Sequence, residues 1–329
     1  MDNMLLQIND LSIEYNTFGG SAKALNKVNL TICKNESVGL VGETGAGKTS
    51  LALSILKILP PESSRIIEGS IRLNNEEILS ASDKKMRQIR GKQISMIFQN
   101  PLTSLNPVFT IGEHIAMVYM NHEKLSKKDA FKKAETMLET VGIPKYRIND
   151  YPNQFSGGMR QRIGIASALA CEPDLLIADE PTTALDVTIQ AQVLELMREL
   201  KRKFSTSLLM ITHNLGIVAE ICEKVAVMYA GTVVEFGATK DVFVNPAHPY
   251  TKGLFKAIPD IKSDAERLIP ILGEVPNALR LPTGCKFHPR CAYATEKCIH
   301  SIPETVNVGE GHFANCFNLA EVKGGSNNV

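Results

Sequence analysis

Neither sign of charge dominates this sequence: 36 lysines and arginines face 35 aspartates and glutamates, for a formal net charge of +1. That balance argues against a nucleic-acid binder relying on a broad basic face. The densest basic run, "KKMRQIRGK" (Lys84–Lys92), reads as the solvated side of a helix, as charge runs usually do. An apolar run of bilayer length is missing too. The longest, "LALSILKILPP", is interrupted by Lys57 and Pro60 and falls far short of the roughly 20 residues a spanning helix needs. The opening "MDNMLLQINDLS" carries an early aspartate and too short an apolar stretch for a secretory signal. The expectation is a protein that stays in the cytosol and meets a membrane only through a partner. Internal repeats and low-complexity tracts are absent as well. Cysteines are present, but in a reducing compartment they are not expected to form disulfides. Cys33, Cys171 and Cys222 are scattered, and four more gather near the end of the chain.

A length of 329 residues suits about two domains. "LLQINDLSIEY" and "ALNKVNLTI" have a rough period of two and predict short strands, with a turn at "CKNES". The unbroken apolar "SVGLVG" predicts a buried strand, and "KTSLALSILKIL" a helix with Leu51, Ile55, Ile58 and Leu59 on one side. "DLLIADE" and "SLLMITH" are two more continuous apolar strands with polar groups at their carboxyl ends. Strands buried on both faces imply an α/β fold, a parallel sheet covered by helices. Residues of about 100–165, including "KKDAFKKAETMLETVG", predict a helical subdomain carried on that sheet. "KVAVMYAGTVVEFG" predicts a hairpin turning at Ala230 and Gly231. Past about residue 240 the composition shifts to proline, histidine and cysteine, and "NPAHPY" and "AIPD" break regular structure. This divides the chain into a domain of residues 1–240 and an extension of residues 241–329.

"GETGAGKT" fits the phosphate-loop pattern, after a predicted strand and before a predicted helix. Gly42, Glu43, Thr44, Gly45, Ala46 and Gly47 form the loop, and Lys48, Thr49 and Ser50 open the helix. Glycines let successive N–H groups turn inward on phosphate oxygens, and the helix start adds partial positive charge. Lys48 is expected at the β- and γ-phosphates and the Thr49 hydroxyl on Mg²⁺. Asp179, ending the strand in "DLLIADE", is a second Mg²⁺ ligand, directly or through water. Glu180 is the candidate general base for an attacking water, and His213 stands at another strand end. The guanine-reading N-K-x-D is missing, since "NKVN" (Asn26–Asn29) ends in asparagine and precedes the loop. A GTPase is therefore disfavoured.

"FSGGMRQR" (Phe155–Arg162) is a second helix start suited to an anion. Ser156 is a good N-cap, Gly157 and Gly158 expose backbone N–H groups, and the helix continues through "MRQRIGIASALA". With it the chain resembles the ABC ATPases, whose signature is written LSGGQ. Gln99 in "MIFQNP" matches the family's Q-loop, "DLLIADE" its Walker B strand, "TALD" its D-loop with Asp186, and His213 its switch histidine. Tyr15 is in place to stack on adenine. The resemblance implies ATP as the nucleotide and Gln99 as a contact of Mg²⁺ or the attacking water. In that family two ATPase domains meet head to tail. Ser156, Gly157, Gly158 and Met159 would then serve an ATP held by another subunit. Phe155 stands where the family has leucine and Met159 where it has glutamine, but the backbone donors do not depend on those side chains.

"FQNPLTSLNPVFTIGEHI" (Phe98–Ile115), "YPNQFSGGMRQR" and "NPAHPYTKGLFKAIP" resemble the ATPase subunits of dipeptide, oligopeptide and nickel importers over nearly the whole chain. The fold implied is a P-loop ABC ATPase domain with a small antiparallel β subdomain, a helical subdomain and a cysteine-containing C-terminal extension. The partners implied are a second homologous ATPase subunit (a different chain or another copy), two membrane-spanning permease subunits and, indirectly, an extracytoplasmic solute-binding protein. Residues after Gln99 would help form the groove for the permeases' coupling helices. The place is the cytoplasmic face of the membrane, peripherally, with no nucleic acid. The alternatives are a soluble ABC ATPase of translation or DNA repair, which would generally carry two cassettes or a long coiled coil, and a regulatory metal-binding protein with an ancillary P-loop. The function implied is ATP hydrolysis that powers import of di- or oligopeptides, with nickel or other metal chelates as the alternative cargo, since no residue of an ATPase lines the transport pathway.

Cys285, Cys291, Cys298 and Cys316 remain, spaced C-x₅-C-x₆-C-x₁₇-C. Four thiolates suit a [4Fe–4S] cluster or tetrahedral zinc, yet the spacing matches neither a ferredoxin run nor a zinc ribbon. Zinc could draw on His288, His300 or His312, and unliganded thiols are the third reading. Importer ATPases with this tail carry an iron–sulfur centre there, so the resemblance implies [4Fe–4S].

Overall fold

The computed structural model of the protein describes residues 3–99, 105–183, 185–257 and 271–319. The chain makes two compact units, one of Met1–Leu5, Ile32–Ser37 and Ser80–Ile211, the other of Leu6–Thr31, Val38–Leu79 and Thr212–Val329. The fold is mixed α/β, with an antiparallel sheet and a helical part. No helix among the described residues is long and apolar enough to cross a membrane.

In the first unit, strands Ile94–Ile97, Leu175–Asp179 and Ser207–Ile211 lie side by side and parallel. Leu175–Asp179 and Ser207–Ile211 are buried at every position, which is why they read as unbroken apolar runs rather than alternating ones. The basic run forms helix Asp83–Ile89, which buries Met86 and Ile89 and leaves Lys84 and Arg87 exposed. The helical part begins with Ile111–Glu123 and Lys127–Thr140. Thr110 and Glu113 close a reciprocal capping box, each side chain accepting the other's backbone N–H, at 3.2 and 2.9 Å. Ile111, Ile115 and Ala116 of one helix and Ala130, Ala134 and Leu138 of the next are buried, at the spacing of one helical face. Residues 100–104, where the predicted helical stretch and coupling groove begin, lie outside the described residues.

In the second unit, Ser37–Val41 runs parallel to Lys224–Tyr229, with Val38 opposite Lys224. Thr232–Ala238 returns antiparallel beside Lys224–Tyr229. The connecting turn has φ of 45° at Ala230 and 80° at Gly231, the two positive values a tight hairpin demands. A Cβ on Gly231 would stand 2.7 Å from the Ala24 carbonyl oxygen. The other edge of Thr232–Ala238 takes His312–Ala314, which pairs in turn with Val306–Gly309. The Cys-containing extension thus adds strands to this unit's sheet.

A separate sheet has the order Gly20–Cys33, Met4–Thr17, Ser64–Leu73, Glu76–Glu77. Its first two strands have 14 residues each, longer than their patterning predicts. In Met4–Thr17 the polar Asn9-Asp10 interrupts the alternation, but a register shift between Asn9 and Ser12, with Asp10 at φ 46°, absorbs it. The helix after the phosphate loop is shorter than expected, Lys48–Ile55. Lys57, at φ 51°, ends it. The Ile58 N–H reaches the Leu53 carbonyl and the Lys57 N–H the Ser54 carbonyl, both at 3.0 Å, a left-handed C-cap. Ile58 is consequently exposed rather than part of the apolar face. Pro259 and Asp260 of "AIPD" lie outside the described residues.

Candidate functional site

The loop Gly42–Gly47 leaves a fully buried strand and enters helix Lys48–Ile55. Gly45 and Gly47 have φ of 83° and 102°, a region open to glycine. Gly47 has a second reason, since a Cβ there would meet the Ala24 carbonyl oxygen at 2.6 Å. The Lys48 ammonium folds back over the loop, donating to the carbonyls of Gly42 at 2.7 Å and Glu43 at 3.1 Å. Thr44, Gly45 and Thr49 are exposed, while Ala46 is buried. The Gly231 N–H donates to the Ala46 carbonyl at 3.0 Å, tying the loop to the hairpin turn. Ser50 accepts from the Tyr15 hydroxyl at 3.3 Å, which fixes Tyr15 beside the helix start. N–H groups at a helix start plus one ammonium make an anion-binding surface.

In the first unit, Asp179 ends its strand 3% exposed. Glu180 follows at φ 46°, so the backbone turns sharply and its carboxylate leaves the line of the strand. The Glu180 N–H donates to the Ile211 carbonyl at 2.8 Å. Its Oε2 accepts from Gln99 Nε2 and Thr183 Oγ1, each at 2.9 Å. An amide and a hydroxyl thus hold one oxygen of this carboxylate in place. In the second unit, His213 is exposed two residues beyond the end of Ser207–Ile211.

Ser156 caps helix Gly157–Leu169 in extended geometry, and its hydroxyl accepts the Met159 N–H at 3.4 Å. Arg147 stacks over Phe155, 3.8 Å from the ring centroid, and donates to Asp150 at 2.7 Å and to the Gln154 carbonyl at 3.1 Å. A Cβ on Gly158 would stand 2.4 Å from Ile189 Cγ2. Asp186 caps helix Val187–Phe204 by accepting the Ile189 N–H at 2.9 Å. Two helix starts, Ser156 and Asp186, are thereby packed together. Ala184 of "TALD" lies outside the described residues.

Cys285, Cys291, Cys298 and Cys316 line one small cavity, with Phe287, His288 and Phe317. Burial pushes the Cys291 thiol up to about 11 and raises Cys285 and Cys316 as well, with smaller contributions from the neighbouring thiols. Asn318 donates from its backbone to Cys316 Sγ at 3.4 Å and from its side chain to Cys298 Sγ at 3.7 Å. Among the described residues, no three His, Cys, Asp or Glu side chains are arranged to hold a metal ion. Of the three histidines considered as extra ligands, His288 lines the cavity, His312 is bonded to Glu235 at 2.7 Å, and His300 is exposed.

Four residues at these sites had not been singled out from sequence. Thr183 sits inside "TALD" and could have been found by its place three residues after Glu180. Tyr229, Tyr250 and Arg290 surround Glu43, and their distance along the chain left no local signal. Arg290 Nη1 and Nη2 reach the two Glu43 carboxylate oxygens at 2.7 and 3.1 Å, and the Glu43 N–H donates to the Tyr250 hydroxyl at 2.9 Å.

Residues 25–183 match the model of the ABC transporter family, and residues 234–298 match that of the oligopeptide/dipeptide transporter C-terminal region. The chain is 47% identical to "Oligopeptide transport ATP-binding protein OppD" of Salmonella typhimurium, over 97% of this chain and 95% of that one. It is also 47% identical to "Dipeptide transport ATP-binding protein DppD" of Bacillus subtilis, over 95% and 94%. Among solved structures it is similar to the ATP-binding cassette MJ0796, described as a dimer in a post-hydrolysis state bound to ADP and Pi. That match has a TM-score of 0.64 and 25% identity, over 71% of this chain and 98% of that one. CbiO1 from Clostridium perfringens, part of the ABC transporter complex CbiONQ, gives a TM-score of 0.63 at 28% identity, over 74% and 92%.

Proposed function

We propose a function from one premise: the chain belongs to the ABC transporter ATPases that carry an oligopeptide/dipeptide transporter C-terminal region. As an ATPase of that family, it powers the import of di- or oligopeptides across the cytoplasmic membrane. It works peripherally on the cytoplasmic face, paired with a second homologous ATPase beneath two membrane-spanning permeases. A solute-binding protein on the far side supplies the cargo. The observation that carries this reading is similarity to peptide-transport ATPases over at least 95% of the chain, extension included.

Within that reading, Lys48 and the loop N–H groups hold the β- and γ-phosphates and Tyr15 stacks on adenine. The hydroxyl of Thr49 and the carboxylate of Asp179 are hard oxygen donors of the kind Mg²⁺ takes, and the ion supplies charge neutralisation on the phosphate oxygens. Glu180, oriented by Gln99 and Thr183, takes the proton from the attacking water, and His213 faces the γ-phosphate. Ser156 with Gly157, Gly158 and Met159 completes the ATP site of the partner ATPase, and Asp186 positions the helix beside it. ATP thus favours the closed pair, and hydrolysis removes the contact that stabilised it.

The four thiols of the extension share one cavity and accept N–H donors, although no three of them stand as metal ligands in this structure. Cys285, Cys291, Cys298 and Cys316 would hold a [4Fe–4S] cluster, with zinc as the second choice. Binding such a centre would require the four thiols as thiolates and so would release their protons. Iron analysis and visible absorbance of anaerobically purified protein test this, and colourless, metal-free protein refutes it.

ATP-dependent peptide uptake by vesicles containing this chain, its partner ATPase and both permeases tests the function. Uptake of nickel chelates but not peptides, or co-purification with ribosomes or DNA instead of permeases, overturns it.

A further inference from the structure

Glu43 puts a carboxylate at the second place of a loop suited to a triphosphate, where an uncompensated negative charge would repel the ligand. It is compensated from 247 residues away. Arg290 meets it with a two-pronged contact at 2.7 and 3.1 Å, the fork geometry that makes arginine–carboxylate pairs strong and directional. The remaining donors of Arg290 are also engaged: Nε with the Leu272 carbonyl at 3.0 Å, Nη2 with the Ile271 carbonyl at 3.2 Å, and Nη1 with the Tyr229 hydroxyl at 3.3 Å. Its side chain is only 4% exposed. Tyr229, Tyr250 and Phe287 pack under it, with ring centroids 4.5 to 5.4 Å apart. Tyr250 also takes the Glu43 N–H at 2.9 Å, and the Glu43 carbonyl accepts from Lys48. The extension therefore grips the phosphate loop at one residue, by both its backbone and its charge.

We propose that Arg290 is a positioning residue for nucleotide binding, neutralising Glu43 and drawing its carboxylate away from the phosphates. The extension then helps set the ATP affinity of its own chain. This rests on the phosphate loop being the ATP site, and Lys48→Ala checks that separately.

The test uses the full-length chain with Mg²⁺ and ATP, measuring equilibrium ATP binding and steady-state KM and kcat. Arg290→Ala should weaken ATP binding and raise KM by about tenfold, with kcat changed by less than about threefold, the pattern of lost uniform binding. Glu43→Gln alone is measured as the fourth corner of the cycle, so that its own effect on affinity is subtracted. The double variant should regain most of the affinity, a coupling that a double-mutant cycle isolates. Should Arg290→Ala fail to fold, Arg290→Gln takes its place, because its amide keeps polar groups in the site but cannot neutralise the carboxylate, and relief by Glu43→Gln is again required. Unchanged affinity in the arginine variants, or no recovery in the double variant, overturns the proposal and leaves Arg290 a packing residue. Unchanged ATP binding in Lys48→Ala would instead sink the assignment of the loop itself.

Discussion

Glu180 shows what one residue's backbone can do for chemistry. In a plain strand, neighbouring side chains point to opposite faces, yet the φ of 46° lets Glu180 turn off the strand and meet Gln99 and Thr183. Glutamine at this position keeps the size and an acceptor oxygen but cannot take a proton. Glu180→Gln should therefore bind ATP as the parent does while kcat falls by about 10²–10⁴-fold, the usual worth of a general base. Single-turnover kinetics beside equilibrium binding would show it, and normal turnover would remove Glu180 from the role. The residue types and order of this site were legible because each strand end carries its chemistry within a few positions. The Glu43–Arg290 pair was not legible, since nothing local in "GETGAGKT" announces a cation from residue 290.

At the scale of elements, sequence periodicity located strands and helices but misjudged where they stop. The apolar pattern in "KTSLALSILKIL" continues past the point where the backbone does. A lysine at φ 51° is a less obvious terminator than the glycine usually found at a left-handed C-cap. A side chain there pays roughly 1 kcal/mol of strain that glycine avoids. Lys57→Gly should raise unfolding free energy by about 0.5–1 kcal/mol in denaturant titration, with the slope unchanged. A drop in stability would show that the Lys57 side chain contributes more than its backbone costs. The hairpin at Ala230-Gly231 was legible because a two-residue turn leaves little choice of residue, whereas the 14-residue strand Met4–Thr17 depends on a bulge that patterning does not show.

For the molecule as a whole, the second unit is held by a polar node inside its core. Glu235, 1% exposed, accepts the N–H groups of Ala247 and His248 at 2.7 and 2.8 Å and bonds His312 at 2.7 Å. His248 sits against it fully buried, with Nδ1 accepting the Tyr250 N–H at 3.0 Å. Burial pushes the His248 pKa down to about 4, against a smaller upward pull from Glu235. The unfolded chain therefore binds a proton near pH 6.5 that the folded chain refuses until about pH 4. Stability is complete above that window and declines as pH falls through it, by on the order of 3 kcal/mol for this group. His248→Asn keeps an acceptor for Tyr250 without the titration. Its stability should fall less steeply between pH 6.5 and 4 than the parent's in matched denaturant titrations, and identical slopes would exclude His248 as the cause.

The short strand His312–Ala314 has one more effect. It occupies hydrogen-bonding groups along Thr232–Ala238 that would otherwise face water. Shortening the chain before residue 306 would uncover that rim beside an apolar interior, a template on which copies can stack. Beyond any share in transport, the tail strand thus leaves the edge of Thr232–Ala238 paired at Glu235 and Phe236.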